Sequence, residues 1–315
     1  MSVQITRRAF AGMCAAFSVF PAQQTPSPQH PGDRVYDIFG VPFRAGSLYP
    51  GTENDAAAYR QAGLVDQMGA AGICVADCGD IPIPSFLPHH NIPPIRNWPA
   101  PRIVWDCVSE QIHPSLKQPG HVPLLIGCDC SIVVGTVQAL RNAGSKSVHV
   151  LYFDGDFDDA APEPQVCNSA ASFATWLLTS PSPFWSGPQL DHSQLTIVGW
   201  SVGSKARGQQ SASISLAEIR GAGVNRLAGR ILESIPSSAD ILIHLDIDVL
   251  AKQEMPAAYF QHRDGLTLAE CAELLGPIAR DSRVRLIEIS EYATLRDLSG
   301  IYMQALIALL TRALR

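Results

Sequence analysis

Charge is scarce in this chain: only 17% of its 315 residues are Asp, Glu, Lys or Arg. Twenty-three Lys and Arg stand against 29 Asp and Glu, a formal net charge of −6, and no basic stretch is long enough to track a phosphate backbone, which disfavours nucleic acid as a partner. No apolar run is long enough to span a bilayer as a mature helix; the candidate, Ala9 to Ala22, falls short of the roughly 20 residues required. The eight cysteines are too sparse for a disulfide-stapled module, and Cys74 and Cys78 have no His or Cys partner at zinc-finger spacing. What is present is a 46% hydrophobic composition with 24 Gly and 24 Pro, the profile of a globular protein with a large core.

The first 33 residues differ from the rest. Thr6-Arg7-Arg8-Ala9-Phe10 precedes the apolar stretch, and the polar, proline-rich Gln23-Gln24-Thr25-Pro26-Ser27-Pro28 follows it. This segment reads either as a twin-arginine export signal, placing the protein in the periplasm, or as a plain N-terminal extension of a cytoplasmic one. From Arg34 the chain alternates apolar strands with amphipathic helices. Strands are predicted at 35–40, 72–76, 123–126, 147–153, 195–199, 241–245 and 284–289, and helices at 54–68, 131–142, 215–234, 267–279 and 300–314. Near-continuous apolar strands separated by helices predict an α/β fold, a parallel sheet covered on both faces, in one domain spanning 34–315.

Ligands in such sheets bind outside the carboxyl ends of the strands. Two of those ends are rich in acid: Asp154-Gly155-Asp156-Phe157-Asp158-Asp159 after the 147–153 strand, and Asp246-Ile247-Asp248 after the 241–245 strand. Alternate side chains of an extended chain share a face, so Asp154 pairs with Asp156 and Asp246 with Asp248. Carboxylates this crowded need a multivalent cation to stay ionised, and a hard divalent metal is the economical one. Helix capping accounts for one Asp per turn, not two clusters. A calcium loop fits poorly, because its sixth position is Asp159 and Pro162 and Pro164 interrupt it. A third strand end reads Gly127-Cys128-Asp129-Cys130-Ser131 before a helix, where the dipole favours a metal-binding thiolate at Cys130. Ser290-Glu291 adds a carboxylate at a fourth. Asp-x-Asp after a strand also occurs in phosphotransferases of the haloacid dehalogenase type, but there it lies near the chain start and is followed by Thr or Val, where this chain has Phe157.

In this order the four strand ends resemble the ureohydrolase (arginase/agmatinase) family. Its pattern is Gly-Gly-Asp-His-Ser, Asp-Ala-His-x-Asp, Asp-x-Asp-x-Leu and a late Glu. Gly40-Val41-Pro42-Phe43-Arg44-Ala45-Gly46, Ala62-Gly63-Leu64 and Asp77-Cys78-Gly79-Asp80 resemble its first β-α-β unit. The resemblance implies a three-layer α/β/α fold and two manganese ions bridged by hydroxide. One ion would be held by Cys130, Asp154, Asp158 and Asp246, the other by Asp154, Asp156, Asp246 and Asp248. Asp158 would orient the attacking hydroxide and Glu291 would pair with a substrate guanidinium. Both family histidine ligands are replaced, by Cys130 and Asp156, which makes the site more anionic and adds a soft donor, so zinc or iron competes with manganese. The Gly-Asn-x-His-Gly segment, which contacts substrate, survives only as Cys167-Asn168-Ser169-Ala170-Ala171, keeping Asn168 but no shuttling His; an Asp-x-x-Glu is missing from Trp200-Ser201-Val202-Gly203-Ser204-Lys205. His244, within an apolar strand, reads as a satisfied core residue, and His89 and His90 lie in a proline-rich loop.

The leading expectation is a metal-dependent C–N hydrolase of a small cationic guanidino compound, including a modified one such as an N-hydroxyguanidine, whose leaving group needs less protonation. The alternatives are a catalytically degenerate metal-binding protein and a magnesium phosphatase. Assembly into homo-oligomers stays open.

Overall fold

The computed structural model describes residues 34–48, 53–187, 189–201 and 211–315; the 1–33 extension and the Val202 to Lys205 segment lie outside them. In chain order the elements are β1 (Val35–Gly40), α1 (Asp55–Gln61), α2 (Leu64–Ala70), β2 (Cys74–Asp80), the two-residue strands β3 (His89–His90) and β4 (Trp98–Pro99), α3 (Ala100–Leu116), β5 (His121–Ile126) and α4 (Ile132–Asn142). There follow β6 (Val148–Phe153), α5 (Ala174–Thr179), β7 (Leu195–Trp200), β8 (Ala212–Ser215), α6 (Leu216–Ala222), α7 (Val224–Ser234), β9 (Asp240–Asp246), α8 (Leu268–Ala279), β10 (Val284–Ser290) and α9 (Ile301–Leu314).

Eight strands form one parallel sheet in the order β2-β1-β5-β10-β9-β6-β7-β8. The apolar strand runs fill both of its faces. Leu124, Ile126, Leu151, Phe153, Ile241 and Ile243 enter a core with α1, α2 and α6 to α9, whereas Leu125, Val150, Tyr152 and Leu242 enter a second core with α3, α4 and α5. Alternation of side chains across a pleated strand produces this division, and the result is the three-layer α/β/α arrangement.

Several local readings are refined. The helix predicted over 54–68 is two, α1 and α2, because Gly63 adopts φ +84 between them. The helix predicted over 215–234 is likewise divided at Gly223, with φ +80, into α6 and α7. The second strand starts at Cys74 rather than at 72 and runs on to Asp80. Glu270 and Thr267 fix the start of α8 by a reciprocal capping box, Glu270 N donating to Thr267 Oγ1 at 3.1 Å and Thr267 N to the Glu270 carboxylate at 2.8 Å. The decisive consequence of the topology is adjacency: β5, β10, β9 and β6 are consecutive in the sheet, so the four motif-bearing strand ends lie side by side.

Candidate metal centre

Each acidic turn is shaped by its own first residue. Asp154 Oδ1 accepts from Asp156 N at 2.6 Å, and Asp246 Oδ1 accepts from Asp248 N at 2.7 Å; such side-chain turns are what Asp offers a chain leaving a strand. The two turns are tied together by Gly155 N, which donates to Asp248 Oδ1 at 3.0 Å. Asp129, fully enclosed, accepts from Gly46 N at 2.8 Å and from the Ser131 hydroxyl at 2.5 Å, anchoring the loop after β1 to the end of β5. Cys128 stands where the family pattern has Gly and keeps the left-handed backbone of that position, φ +75. Asp158 (φ +47) and Glu291 (φ +66) are also left-handed, so three non-glycine residues with costly backbone geometry cluster at one place, as strained residues do at functional sites.

A cavity of about 560 Å³ opens between these strand ends, and Cys130, Asp154, Asp156, Asp158, Asp246, Asp248, Asn168 and Glu291 all line it. Asn168 is positioned by the proline-rich loop, its N donating to Pro94 O at 3.0 Å and its O accepting from Arg96 N at 2.8 Å. His89 and His90 of that loop are exposed and are not part of the cavity wall.

The donors gather in two groups whose ligand atoms lie within 4.8 Å of one another: Cys130 with Asp154 and Asp246, and Asp154 with Asp248 and His262. Asp156 and Asp158 border the cavity but belong to neither group. Tyr152 donates to Asp158 Oδ2 at 2.7 Å. Asp154 Oδ2 is buried without a hydrogen-bond partner, as a metal ligand is before its cation arrives. Burial and the Asp248, Asp158 and Asp246 charges raise the Asp154 pKa well above the carboxylate range, and burial with the Asp248 and Glu291 charges does the same for Asp246. The oxygen and sulfur donor set suits divalent metals.

At Cys130 the helix dipole does not prevail. Its thiol pKa is pushed up, not down, by burial and then by the Asp246, Glu291, Asp158 and Asp154 charges. The Cys130 thiol therefore donates to Asp246 Oδ2 at 2.8 Å, and only a cation would turn it into a thiolate. Glu291 is also more engaged than its motif implies. Its Oε1 accepts from Cys130 N at 3.2 Å and its Oε2 pairs with Arg44 at 3.0 Å, while Arg44 binds Asp55 and the Tyr292 carbonyl and lies 4.5 Å from the Tyr259 ring centroid. Burial pushes the Glu291 pKa up to about 8 against the pull of Arg44.

Sequence reasoning missed His262, Arg44 and Tyr152. His244 is the satisfied core residue it was read as, its Nδ1 2.6 Å from Glu288 Oε1 and its Nε2 3.3 Å from Ser290 Oγ. Among the described residues no helix is long and apolar enough to cross a membrane.

An eight-stranded parallel sheet between helical layers, with an acidic cavity at the carboxyl ends of four adjacent strands, defines an α/β/α protein with a candidate metal centre. The model of the Arginase family matches residues 35–314, and the chain belongs to that family. An arginase of Staphylococcus aureus is 23% identical over 274 residues, covering 82% of this chain and 90% of that protein. The solved structure of an Entamoeba histolytica arginase in complex with L-ornithine superposes with a TM-score of 0.78 at 15% identity, covering 90% of this chain and 99% of that one. A Trypanosoma cruzi formiminoglutamase with Mn2+ gives 0.66 at 18% identity, covering 92% and 97%. The family's members are hydrolases of amidine C–N bonds and generally depend on two metal ions, with which manganese is consistent. It is the family the four strand ends resemble, and not that of the phosphotransferases.

Proposed function

We propose that this protein is a metal-dependent amidinohydrolase acting on a small guanidino compound, plain or N-hydroxylated. The observation that carries the reading is the convergence of Cys130, Asp154, Asp246 and Asp248 on one cavity with a buried, unpartnered Asp154 oxygen. Cys130, Asp154 and Asp246 would hold one divalent ion, and Asp154 and Asp248 contribute to a second. When bound, such ions lower the pKa of water and so supply a hydroxide at neutral pH.

The chain's own residues supply the rest. Water oxygen bonds to the guanidinium carbon, the C–N bond to the leaving amine breaks, and the amine departs with a proton. Asp158, fixed by Tyr152, takes the water's proton and returns it to the amine. The excess of carboxylates on the cavity wall draws a cationic substrate. Glu291 pairs with the substrate guanidinium by sharing or surrendering its bond to Arg44, and the Asn168 amide hydrogen-bonds the substrate at the rim.

Arg296, on the same wall, favours a second substrate class, an amidine carrying a carboxylate that this cation would receive. The test is metal analysis of the purified protein together with urea, hydroxyurea and amine release over a panel of plain, hydroxylated and acidic amidines. Bound metal with turnover of one class supports the reading. Metal without turnover of any would leave a degenerate metal-binding protein, and no metal beyond trace would refute both.

A further inference from the structure

Asp154 and Asp248 adjoin a residue that lies outside every acidic motif. His262 sits on the long segment between β9 and α8, where its carbonyl accepts from Lys252 N at 2.9 Å. Its side chain is 12% exposed, and its Nε2 lies 3.2 Å from Asp248 Oδ2. Against the opposing effect of burial, Asp248 and Asp156 raise the imidazole pKa, and Asp154 Oδ2 has no hydrogen-bond partner. His262 and Asp154, with Asp248, form the second donor group.

The space for the imidazole is created by Gly155. A Cβ at that position would lie 2.3 Å from His262 Cδ2 and 2.9 Å from both His262 Cγ and the Asp248 carbonyl oxygen, so glycine is required by the ring and by the adjoining backbone together. The Asp-Ala-His-x-Asp pattern has Ala and His where this chain has Gly155 and Asp156. The two differences are complementary: an imidazole is lost at 156, and room opens at 155 for one arriving from another segment.

We propose that His262 is a ligand of a second divalent ion held with Asp154 and Asp248, a histidine relocated from the acidic motif to the β9–α8 segment. The inference rests on the metal-dependent reading above and specifies its second site. Neutral imidazole binds through the Nε2 lone pair, and the two sites then differ in chemistry, one having a sulfur and two carboxylates and the other a nitrogen and two carboxylates. An ion pair with Asp248 alone would use the same nitrogen, but it would require neither the Asp154 oxygen nor a cation.

The experiment is titration of the demetallated full-length protein with Mn2+, read by equilibrium dialysis and by the exchange-coupled electron paramagnetic resonance signal of paired ions. Wild type is expected to bind two ions with coupling. His262→Ala is expected to lose the coupled signal and to weaken the second ion at least tenfold. His262→Ala with Asp156→His, which restores an imidazole to the motif, is expected to regain the second ion, which separates ligand loss from misfolding. If His262→Ala binds two coupled ions at wild-type affinity, the inference fails and the hydrolase reading stands. One ion in the wild type also overturns it alone, and no ion in the wild type overturns both.

Discussion

The sheet buries acids in two places and treats them differently. In its body each carboxylate has its own base: Asp37 meets His121 Nδ1 at 2.9 Å and the Ser115 hydroxyl, and Glu288 meets His244 Nδ1 at 2.6 Å with both side chains wholly enclosed. At the carboxyl edge, Asp154, Asp246 and Asp248 have one thiol and one imidazole among the three. Buried carboxylates without a partner each are pushed toward the protonated form, and Asp154 and Asp246 are. Within the sheet body a histidine meets each of these two acids, whereas at the edge three neighbouring carboxylates share one thiol and one imidazole.

The strongest break of this comparison is Asp246→Ala. Asp246 belongs to the Cys130 group and fixes Asp248 through the 2.7 Å turn bond, so metal affinity is expected to fall by more than about 100-fold, the upper end of what losing even an outer-shell partner costs. Metal content measured after dialysis checks it, and an unchanged content would remove Asp246 from the site. The converse substitution, Asp37→Ala, strips His121 and Ser115 of their acceptor. It is expected to cost about 1–3 kcal/mol in urea unfolding, the penalty for buried groups left unpaired, with metal stoichiometry unaltered. Loss of metal in that variant would make the two regions one system and end the distinction.

A smaller effect sharpens the contrast through pH. Glu291 is pushed up to about 8, with Asp154, Asp158 and Asp246 also raised. A carboxyl whose folded pKa is raised binds its proton more tightly folded than unfolded. Its stabilisation is therefore complete below the ordinary carboxylate pKa of about 4 and is lost as pH rises through the folded value. The demetallated protein should melt at progressively lower temperature between about pH 5 and pH 8, while the metal-loaded form falls less. Parallel curves for the two forms would mean that cations do not relieve the edge.

Legibility followed the same division. The acidic edge was readable because Asp-x-Asp after an apolar run has a mechanism attached, and strand adjacency then delivered Cys130, Asp154, Asp246, Asp248 and Glu291 to one cavity. Helix ends were less readable, since Gly63 and Gly223 break helices whose apolar period continues across them. The 17-residue α3 went unread because Pro101 and Pro114 disguise its period. His262 comes from a segment without periodicity, and its one signal lay elsewhere, in Gly155 standing where the family motif has Ala. Arg44 was quoted only as part of a loop, and nothing local foretells that it reaches Glu291 across 247 positions.

The mildest change tests the one atom that makes this edge unlike a set of plain carboxylates. Cys130 Sγ lies between Asp246 Oδ2 at 2.8 Å and Ser290 Oγ at 3.2 Å, with 1% exposure. Without a cation it is a thiol donating to Asp246, a role that a serine hydroxyl can take over, so Cys130→Ser should alter unfolding free energy by less than about 1 kcal/mol. With a cation the sulfur is a soft ligand and oxygen a hard one, so the substitution should weaken Zn2+ more than Mn2+. Competition between the two metals in wild type and variant measures that difference directly. Equal losses would mean that the sulfur only fills space beside Asp246, and a larger loss for zinc would mark Cys130 as the residue that sets metal preference.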